Sequence, residues 1–199
     1  MKASKTQQEI KKAAKIIFFS RGHIYATTQE IADEAGVNRA MIHYYFRKRD
    51  GLFLNVLKES IEELLNEINA VFSSDDPLRP KTRTFLHLYM QRMTEYPHLP
   101  NFIISEVAKN RGMFKEFRRS YVHTMMQKLR NQIQEEVRLK KMKPISPQHF
   151  IVNLVSLASF PFETSSMLKN FFSFNERGIA TFLRQRKKII YESIFNDVY

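Results

Sequence analysis

Side chains that suit contact with DNA are concentrated in one short stretch of the chain, residues 38–49. Arg donates hydrogen bonds to guanine and to phosphate, while Tyr and His reach phosphate oxygens through a hydroxyl or a ring N–H. The polar residues of the stretch are Asn38, Arg39, His43, Tyr44, Tyr45, Arg47, Lys48 and Arg49. Apolar residues recur between them at helical spacing, so one helix would present these groups together.

The surrounding sequence has the form of a helix-turn-helix. Thr27-x-x-Glu30, or Thr28 alone, caps a short helix that Gly36 ends, and Asn38 caps the helix that follows. In this motif the second helix enters the major groove of DNA, and flanking residues contact phosphate. The alternative is that the aromatic residues only wrap a small helix onto a core. Their position beside a basic run favours contact with DNA.

Residues 6–57 resemble the DNA-binding domain of TetR-family transcriptional regulators. The matching sequence is TTQEIADEAGVNRAMIHYYFRKRDGL, preceded by an amphipathic helix that ends in FFSRG. The resemblance depends on Thr-Thr-x-x-Ile-Ala-x-x-Ala-Gly-Val, an aromatic triplet ending in Phe, and a basic segment that leads to Leu. The rest of the chain is similar in length, helix count and apolar pattern. The resemblance implies a homodimer whose variable helical domain binds a small effector and dimerises.

The resemblance also implies roles for single residues. Thr28 would cap the second helix and contact phosphate, and Gln29 would reach a base or a phosphate. Residues 39–41 would face the bases, whereas residues 43–45 and Arg49 would contact phosphate. The full set of expected DNA contacts is Thr28, Gln29, Asn38, Arg39, Ala40, Met41, His43, Tyr44, Tyr45, Lys48 and Arg49.

Several residues of the same stretch are expected to hold it in place. Gly51 lies in the first turn of the fourth helix, where it lowers helix propensity by about 1 kcal/mol relative to Ala. The sequence leaves open whether this glycine has a role. The residues expected in the core are Ile31, Ala32, Ala35, Val37, Ile42 and Phe46.

The charge of the chain points to a polyanionic partner. The formal net charge is +12, which suits nucleic acid or an anionic membrane surface. Residues 109–143 contain eleven Lys or Arg and three Glu, a net charge of +8. This excess either coats the solvated face of a long helix or attracts an acidic ligand such as an acyl-CoA.

Several classes of chemistry are not expected from the sequence. There is no cysteine, no Gly-rich phosphate loop and no pair of His at metal-ligand spacing on one helix. We therefore expect no catalytic residues, no cofactor and no metal. The amino terminus does not have the pattern of a signal peptide, and the longest apolar run, residues 150–162, is shorter than the ~20 residues that span a bilayer. These features predict a cytoplasmic protein without a membrane partner.

The fold class expected is all-α, with about nine helices and no strand. Thr6-x-x-Glu9 is a capping pattern for the first helix, and Pro161 should kink or interrupt the helix that begins near residue 147. We predict a helix-turn-helix DNA-binding domain at residues 1–50. Residues 51–199 would form the helical domain that binds an effector and dimerises.

Aromatic and methionine residues between 85 and 174 could line an adaptable cavity, although most of them must simply be core. The candidate ligand-binding residues are Phe85, Tyr89, Met93, Phe102, Glu106, Phe117, Tyr121, Met125 and Phe160. The last two long helices could bury a face against a second subunit, or serve only the chain's own core. The candidate dimer residues are Phe150, Leu154, Leu157, Phe182, Ile190 and Ile194.

Together these observations predict a ligand-responsive, DNA-binding transcriptional regulator. The expected partners are a double-stranded operator, a small effector and a second copy of the chain. The expected mode is a dimeric repressor that a hydrophobic or amphipathic effector releases from a palindromic operator. The alternative is a basic, amphipathic protein that lies on membrane surfaces.

Overall fold

A computed structural model describes the backbone of residues 4–109 and 113–195, and the side chains of these residues except 113–124. The helices are α1 Lys5–Lys15, α2 Thr28–Ala35, α3 Arg39–Phe46, α4 Arg49–Ser73, α5 Leu78–Glu95, α6 Leu99–Lys109, α7 Met113–Arg138, α8 Pro147–Glu163, α9 Ser165–Phe171 and α10 Glu176–Ile194. A π-helical turn, Ile16–Ser20, continues α1. Over the described ranges there is no β-strand, which confirms the all-α prediction.

The first helix begins earlier than expected. Ser4, rather than Thr6, is its N-cap, because the Ser4 hydroxyl accepts a hydrogen bond from the Gln7 N–H at 3.2 Å. At the other end, the π turn makes Ile17, Phe18 and Phe19 buried in succession. A regular α-helix would separate three consecutive side chains by about 100° each. The wider π turn therefore lets one short segment direct a broad apolar surface into the core.

The caps of α2 and α3 confirm the helix-turn-helix predicted from the sequence. Thr27 and Glu30 form a complete capping box, in which the Thr27 N–H donates to the Glu30 carboxylate at 2.6 Å. Gly36 ends α2 with φ of 64°, in the left-handed region that glycine adopts at little cost. Asn38 then caps α3 by accepting from the Ala40 N–H at 2.8 Å. Local sequence thus sets both ends of the turn between the two helices.

Gly51 has a packing role. It lies in the first turn of α4, and a Cβ atom at this position would come within 2.8 Å of the Phe46 carbonyl oxygen at the end of α3. Real Cβ atoms do not approach backbone oxygen so closely, so α4 can pass this close to α3 only with glycine here. The tight junction between α3 and α4 thus requires glycine at position 51, even though glycine lowers the helix propensity there.

The amino-terminal helices are joined to the remaining helices by α4 and by the turn between α5 and α6. Here the His98 N–H donates to the Phe19 carbonyl at 3.0 Å, and the Ser20 hydroxyl donates to the Glu95 carbonyl at 2.6 Å. The rings of Phe19 and Tyr96 meet edge to face, with their centroids 6.3 Å apart. The α5–α6 turn is therefore fixed to the π turn by both backbone and ring contacts.

The far end of α4 is capped by two lysines from other helices. Lys81 of α5 is 1% exposed and donates to the Ser74 carbonyl at 2.8 Å. Lys128 of α7 donates to the Ser73 carbonyl and to Asp75, both at 2.8 Å. Burial lowers the pKa of Lys81, and the nearby Lys128 charge adds to that effect. Positive charge at a helix carboxyl terminus is favourable, so these contacts fix the end of the longest helix of the amino-terminal half.

The remaining helices form a bundle in which α4 packs on α7, α5 on α8, and α10 on both α5 and α8. Pro161 lies inside α8, which ends two residues later, and α9 begins after Thr164. The helix that Pro161 was expected to kink or interrupt is therefore two helices. This division explains why the described residues form ten α-helices where about nine helices were predicted.

Candidate nucleic-acid interface

The recognition helix α3 has a clear division between anchored and free faces. Ile42 is fully buried, and the Phe46 and Met41 side chains are half-buried against the core, so the expected contact of Met41 with the bases stays a prediction. Arg39 and Ala40 are exposed in the first turn of α3, and His43 and Tyr44 are exposed further along the helix. The exposed fraction of Tyr44 is 76%, so its hydroxyl is accessible to a phosphate.

Arg39 is oriented by the helix before it. Its Nε donates to the Thr28 hydroxyl at 2.9 Å. Thr28 is itself nearly buried at the first turn of α2, and the N-cap of that helix is Thr27, so the expected capping role of Thr28 is wrong. Gln29 is exposed and donates to Asp33 at 2.7 Å. Thr28 thus acts on the interface by holding Arg39, whose remaining guanidinium N–H groups are directed by that contact.

The aromatic residues are not equivalent. The Tyr45 hydroxyl accepts a hydrogen bond from Ser4 at 2.7 Å, and the ring is half-buried. The Tyr44 ring stands edge-on to the Tyr45 ring, with centroids 4.9 Å apart. His43 places Nδ1 2.9 Å from the Arg47 carbonyl, so its Nδ1–H donates there and Nε2 is the atom left facing outward. Tyr45 therefore links the start of α1 to the recognition helix, while Tyr44 is presented outward.

Arg49 is committed to contacts within the protein. Its Nε donates to the Ala26 carbonyl at 2.9 Å, Nη1 donates to Asp50 at 2.8 Å, and the guanidinium lies 5.3 Å from the Phe18 ring centroid. Arg49 therefore supports the fold through its Nε and Nη1 groups, and its expected contact with phosphate stays a prediction. Lys48, by contrast, is exposed in the connection before α4.

Arg47 is a residue whose position the sequence did not predict. It ends α3 with φ of 60°, a left-handed conformation that costs a non-glycine residue free energy, and its side chain is exposed. This conformation lets the Arg47 N–H donate to the His43 carbonyl at 3.0 Å. The basic run was visible in the sequence, but the strained turn that separates exposed Arg47 from anchored Arg49 had no sequence signal.

A narrow cleft with about 10 Å³ of open space, room for about one water molecule, lies between α4 and α5. Its lining residues are Leu64, Glu67, Ile68, Val71, Phe85, Leu88 and Tyr89. Two of the predicted ligand-binding residues, Phe85 and Tyr89, lie here, with ring centroids 5.3 Å apart in a stacked arrangement. Burial raises the pKa of Tyr89 to about 12, so its hydroxyl is a neutral hydrogen-bonding group.

The other candidate ligand-binding residues are spread over different environments. Met93 and Met125 are buried in the core, and Phe102 lies in the aromatic junction beside Phe19. Glu106 pairs with Lys109 at 3.0 Å. Phe160 is 51% exposed on α8, which contradicts its assignment to an internal cavity. The side chains of Phe117 and Tyr121 lie outside the described residues.

The dimer prediction selected three residues incorrectly. Phe150, Leu154 and Ile190 are fully buried in the chain's own core and cannot contact a second subunit. The physical reason is that α8 and α10 pack on each other and on α5, and these residues lie in the core that the helices share. Leu157, Phe182 and Ile194 are half-buried. The apolar residues that α8, α9 and α10 expose instead are Val152, Phe160, Met167, Phe171 and Ile189.

Neither a metal-binding cluster nor a membrane-spanning helix is found in the part of the chain that the structure describes. Within it, no group of three or more His, Asp or Glu side chains could hold a metal ion. None of its helices combines the length and the apolar character that crossing a membrane requires.

Known proteins are similar to the chain in sequence. Residues 10–56 match the family described as bacterial regulatory proteins, tetR family. The probable HTH-type transcriptional regulator YttP of Bacillus subtilis (strain 168) is 24% identical over 164 residues, which are 81% of this chain and 79% of that protein. The HTH-type transcriptional regulator RutR of Escherichia coli (strain K12) is 23% identical over 148 residues, 74% of this chain and 69% of that protein.

Solved structures share the fold over nearly the whole length. The fatty acid degradation regulator FadR from Bacillus halodurans superimposes with a TM-score of 0.62 at 12% identity, over 96% of this chain and 97% of that one. A TetR family transcription regulator from Marinobacter aquaeolei VT8 gives a TM-score of 0.55 at 16% identity, over 96% and 95% of the two chains. The likeness therefore extends beyond the helix-turn-helix to the helical remainder.

Proposed function

Because the chain is a helix-turn-helix regulator of the tetR family, we propose that it acts as a dimeric repressor that a small effector releases from a palindromic operator. The observation that carries the proposal is the free face of α3, where Arg39 and Tyr44 are exposed on a helix that Ile42 anchors. We place the regulator in the cytoplasm, with the DNA that it would bind. The family match does not favour the membrane-surface alternative.

The exposed groups on and beside α3 divide into reading and holding residues. Arg39 is positioned by Thr28 and can donate two parallel hydrogen bonds to guanine, the commonest specific contact in the major groove. Tyr44, Arg47 and Lys48 flank it with a hydroxyl and two cations that suit phosphate. Arg49 supports the interface from behind, since its contacts with Ala26 and Asp50 fix the start of α4.

A second copy would bring two such helices together. We propose that the exposed apolar residues of α8 and α10, above all Val152, Phe160 and Ile189, bury against the same residues of a partner. Apolar residues that leave water on association supply most of the favourable free energy of such interfaces. Two-fold symmetry would then set the spacing of the recognition helices to the half-sites of a palindrome.

The effector is proposed to widen the narrow cleft between α4 and α5 as it binds there, and so to act through α4. Glu67 lines that cleft and is bonded to Arg92. Arg92 also pairs with Glu63 at 3.1 Å, and Glu63 pairs with Lys15 of α1 at 2.9 Å. These four side chains connect the cleft to the helix that packs on the helix-turn-helix. An effector that moves α4 would therefore change the ion pairs that hold α1, and with them the spacing of the recognition helices.

The experiment begins by isolating, from a pool of fragments of the organism's own genome, the DNA that the protein enriches. Binding of that fragment is then measured by fluorescence anisotropy against random DNA of the same length. Arg39→Ala should weaken binding to the enriched fragment by ~1–3 kcal/mol and leave binding to random DNA nearly unchanged. Arg177→Ala, which removes an exposed arginine from α10, is the matched control.

Two outcomes would contradict the proposal. If no fragment is enriched, the proposal that the protein binds an operator is wrong. Equal loss on both DNAs after Arg39→Ala would remove Arg39 from base reading while leaving the protein a DNA binder. The dimer is tested separately by sedimentation, where Val152→Glu should give a monomer that remains folded.

A further inference from the structure

The α5 helix has two opposite faces that border different spaces. Phe85, Leu88 and Tyr89 face the cleft against α4. On the other side, α5 and α10 border a surface groove of about 430 Å³. Its lining residues are His87, Met90, Gln91, Thr94, Ala180, Leu183, Arg184 and Lys187. Because positions 87, 90, 91 and 94 are roughly half a helical turn away from positions 85 and 89, the groove is separate from the proposed effector cleft.

Three contacts show how α5 and α10 align along this groove. The Arg79 guanidinium lies 4.8 Å from the Phe195 ring centroid, and Arg83 lies 4.4 Å from that of Tyr191. One turn further along, Lys187 Nζ is 3.5 Å from His87 Nδ1. Each step advances four residues in α5 and goes back four in α10, so the helices are antiparallel. In the first two steps a cation meets an aromatic ring, but in the third the Lys187 ammonium donates to His87 Nδ1, an acceptor that carries no negative charge.

The end of the groove near Lys187 therefore carries an excess of positive charge. Arg184 lies one helical turn from Lys187 on the same face of α10, and its hydrogen bond to Thr181 is long, at 3.5 Å. Among the residues that line the groove, none carries a carboxylate. Beyond these basic groups the floor is apolar, with Met90 buried and Leu183 half-buried. An anion between His87, Arg184 and Lys187 would supply the partner that the protein does not provide there.

We infer that this groove binds an amphipathic anion, with an acidic head group between His87, Arg184 and Lys187 and an aliphatic tail along Met90 and Leu183. The antiparallel alignment gives the tail a path from residue 87 to residue 94 of α5, roughly 10 Å at the rise of an α-helix. The head group is a carboxylate or a phosphate monoester, since both accept hydrogen bonds from Arg and Lys. The site is distinct from the cleft between α4 and α5 and from the exposed apolar residues Val152, Phe160 and Ile189.

Tryptophan fluorescence can test the site directly because the chain has no tryptophan. Gln91→Trp puts a single reporter in the groove, and Leu88→Trp puts one in the opposite cleft. Each full-length variant is titrated with decanoate, decyl phosphate, the neutral alcohol of the same chain length and inorganic phosphate, all below the concentration at which micelles form. The groove reporter should respond saturably to at least one of the two anionic amphiphiles, and at least tenfold more weakly to the alcohol and to inorganic phosphate.

The charge of the groove is tested in the Gln91→Trp background. Arg184→Gln together with Lys187→Gln should weaken binding of the anionic amphiphile by tenfold or more, since each lost charged partner is worth about a factor of ten. Lys188→Gln removes an exposed lysine of the same helix that pairs with Glu192, and should leave the affinity within twofold. Circular dichroism establishes that each variant keeps its helices.

Three results would overturn the inference. These are a response of the Leu88→Trp reporter alone, equal affinity for the alcohol, and an affinity that the paired Arg184 and Lys187 substitutions do not change. None of these readouts involves DNA. If the protein binds its operator but none of the expected fluorescence responses is seen, the proposed function stands and only the ligand site in the groove is contradicted.

Discussion

The helix-turn-helix and the carboxy-terminal bundle differ in what fixes the position of a side chain. In the helix-turn-helix, a polar side chain has its place set by a local cap or turn, as with the Thr27 and Glu30 pair. In the carboxy-terminal bundle, apolar residues two positions apart on the same helix differ completely, since Leu154 is 0% exposed and Val152 is 58% exposed. Short-range chemistry determines the first region, whereas the packing of distant helices determines the second.

A polar residue in a motif and an apolar residue in a bundle can each differ from the role expected of them, and the reasons are different. Arg49 has the right type for phosphate contact but is held by Ala26 and Phe18. Phe160 has the right type for a cavity but faces outward. In the first case a contact within the protein competes with the partner, and in the second the direction of the helix face decides.

The largest effect is expected from Leu154, which tests the bundle. Leu154→Ala should lower the free energy of unfolding by about 2–5 kcal/mol, because it leaves a cavity in a fully buried site. Val152→Ala on the same helix should change it by less than about 0.5 kcal/mol. Urea unfolding followed by circular dichroism measures both, at a protein concentration low enough to keep each variant monomeric. Similar losses for the two variants would mean that Val152 is covered in the free chain.

The next effect concerns the junction of α3 and α4. Gly51→Ala should destabilise the protein by about 1–3 kcal/mol despite the better helix propensity of Ala, since its methyl group would meet the Phe46 carbonyl at 2.8 Å. In Gly178→Ala, near the start of α10, the added methyl would meet only side-chain atoms, at 3.3 Å and beyond. Thermal unfolding compares the two, and a stabilised Gly51→Ala variant would show that α4 can shift away from α3.

Arg39 and Arg49 separate reading from support within the amino-terminal domain. Arg49→Met should destabilise the fold by about 1–3 kcal/mol through loss of the contact with the Ala26 carbonyl, whereas Arg39→Met should have little effect on stability. Differential scanning calorimetry of the DNA-free protein is the measurement. If Arg49→Met instead leaves stability unchanged and weakens DNA binding alone, Arg49 is a phosphate contact and the sequence expectation was right.

A smaller effect tests how far a local cap determines the helix-turn-helix. Thr27→Ala should cost about 1 kcal/mol, the usual value for loss of an N-cap hydroxyl. Thr28→Ala leaves the cap intact and should have its main effect on DNA binding, through the orientation of Arg39. Chemical unfolding and operator binding are measured for both variants. Exchange of the two phenotypes would reverse the roles assigned to these neighbouring threonines.

The smallest effect is a pH dependence of the same cap. Hydrogen bonds from the Thr27 backbone N–H and hydroxyl lower the pKa of Glu30 from its usual 4.5. The stabilisation is therefore fully present above pH 4.5 and is lost as the pH falls through the lower pKa of the folded state. The difference in melting temperature between the protein and Glu30→Gln should be visible at pH 7 and vanish in acid. A difference that persists at low pH would exclude the charge as its source.

Much of the fold could be predicted from the sequence because its signals are local. The caps at Thr27, Gly36 and Asn38 were all identified, as was the interruption near Pro161. The first cap was misplaced, because Ser4 and Thr6 are equally good capping residues when read without their surroundings. The burial of Leu154 and the exposure of Phe160 depend on which helices pack on α8, and no spacing within α8 encodes that.

The candidate DNA contacts were predictable by type, but their partners within the protein were not. The contacts of Tyr45 with Ser4 and of Arg49 with Ala26 join residues that are far apart in the chain. Such contacts depend on how α1, α2 and α4 meet around α3. A motif therefore locates the interface, whereas the tertiary structure decides which of its residues are available.

The π turn at Ile16–Ser20 has a genetic consequence. A turn that bonds each residue to the fifth before it holds one residue more than an α-helical turn. Deletion of a single codon within these five would let α1 continue as a regular α-helix, and the residues after it would keep nearly the same direction. Three consecutive buried side chains, Ile17 to Phe19, would then have to share the narrower face of a regular helix. Codon substitutions should be tolerated more readily here than the loss of any one codon, so the length of this segment constrains its evolution as much as its composition does.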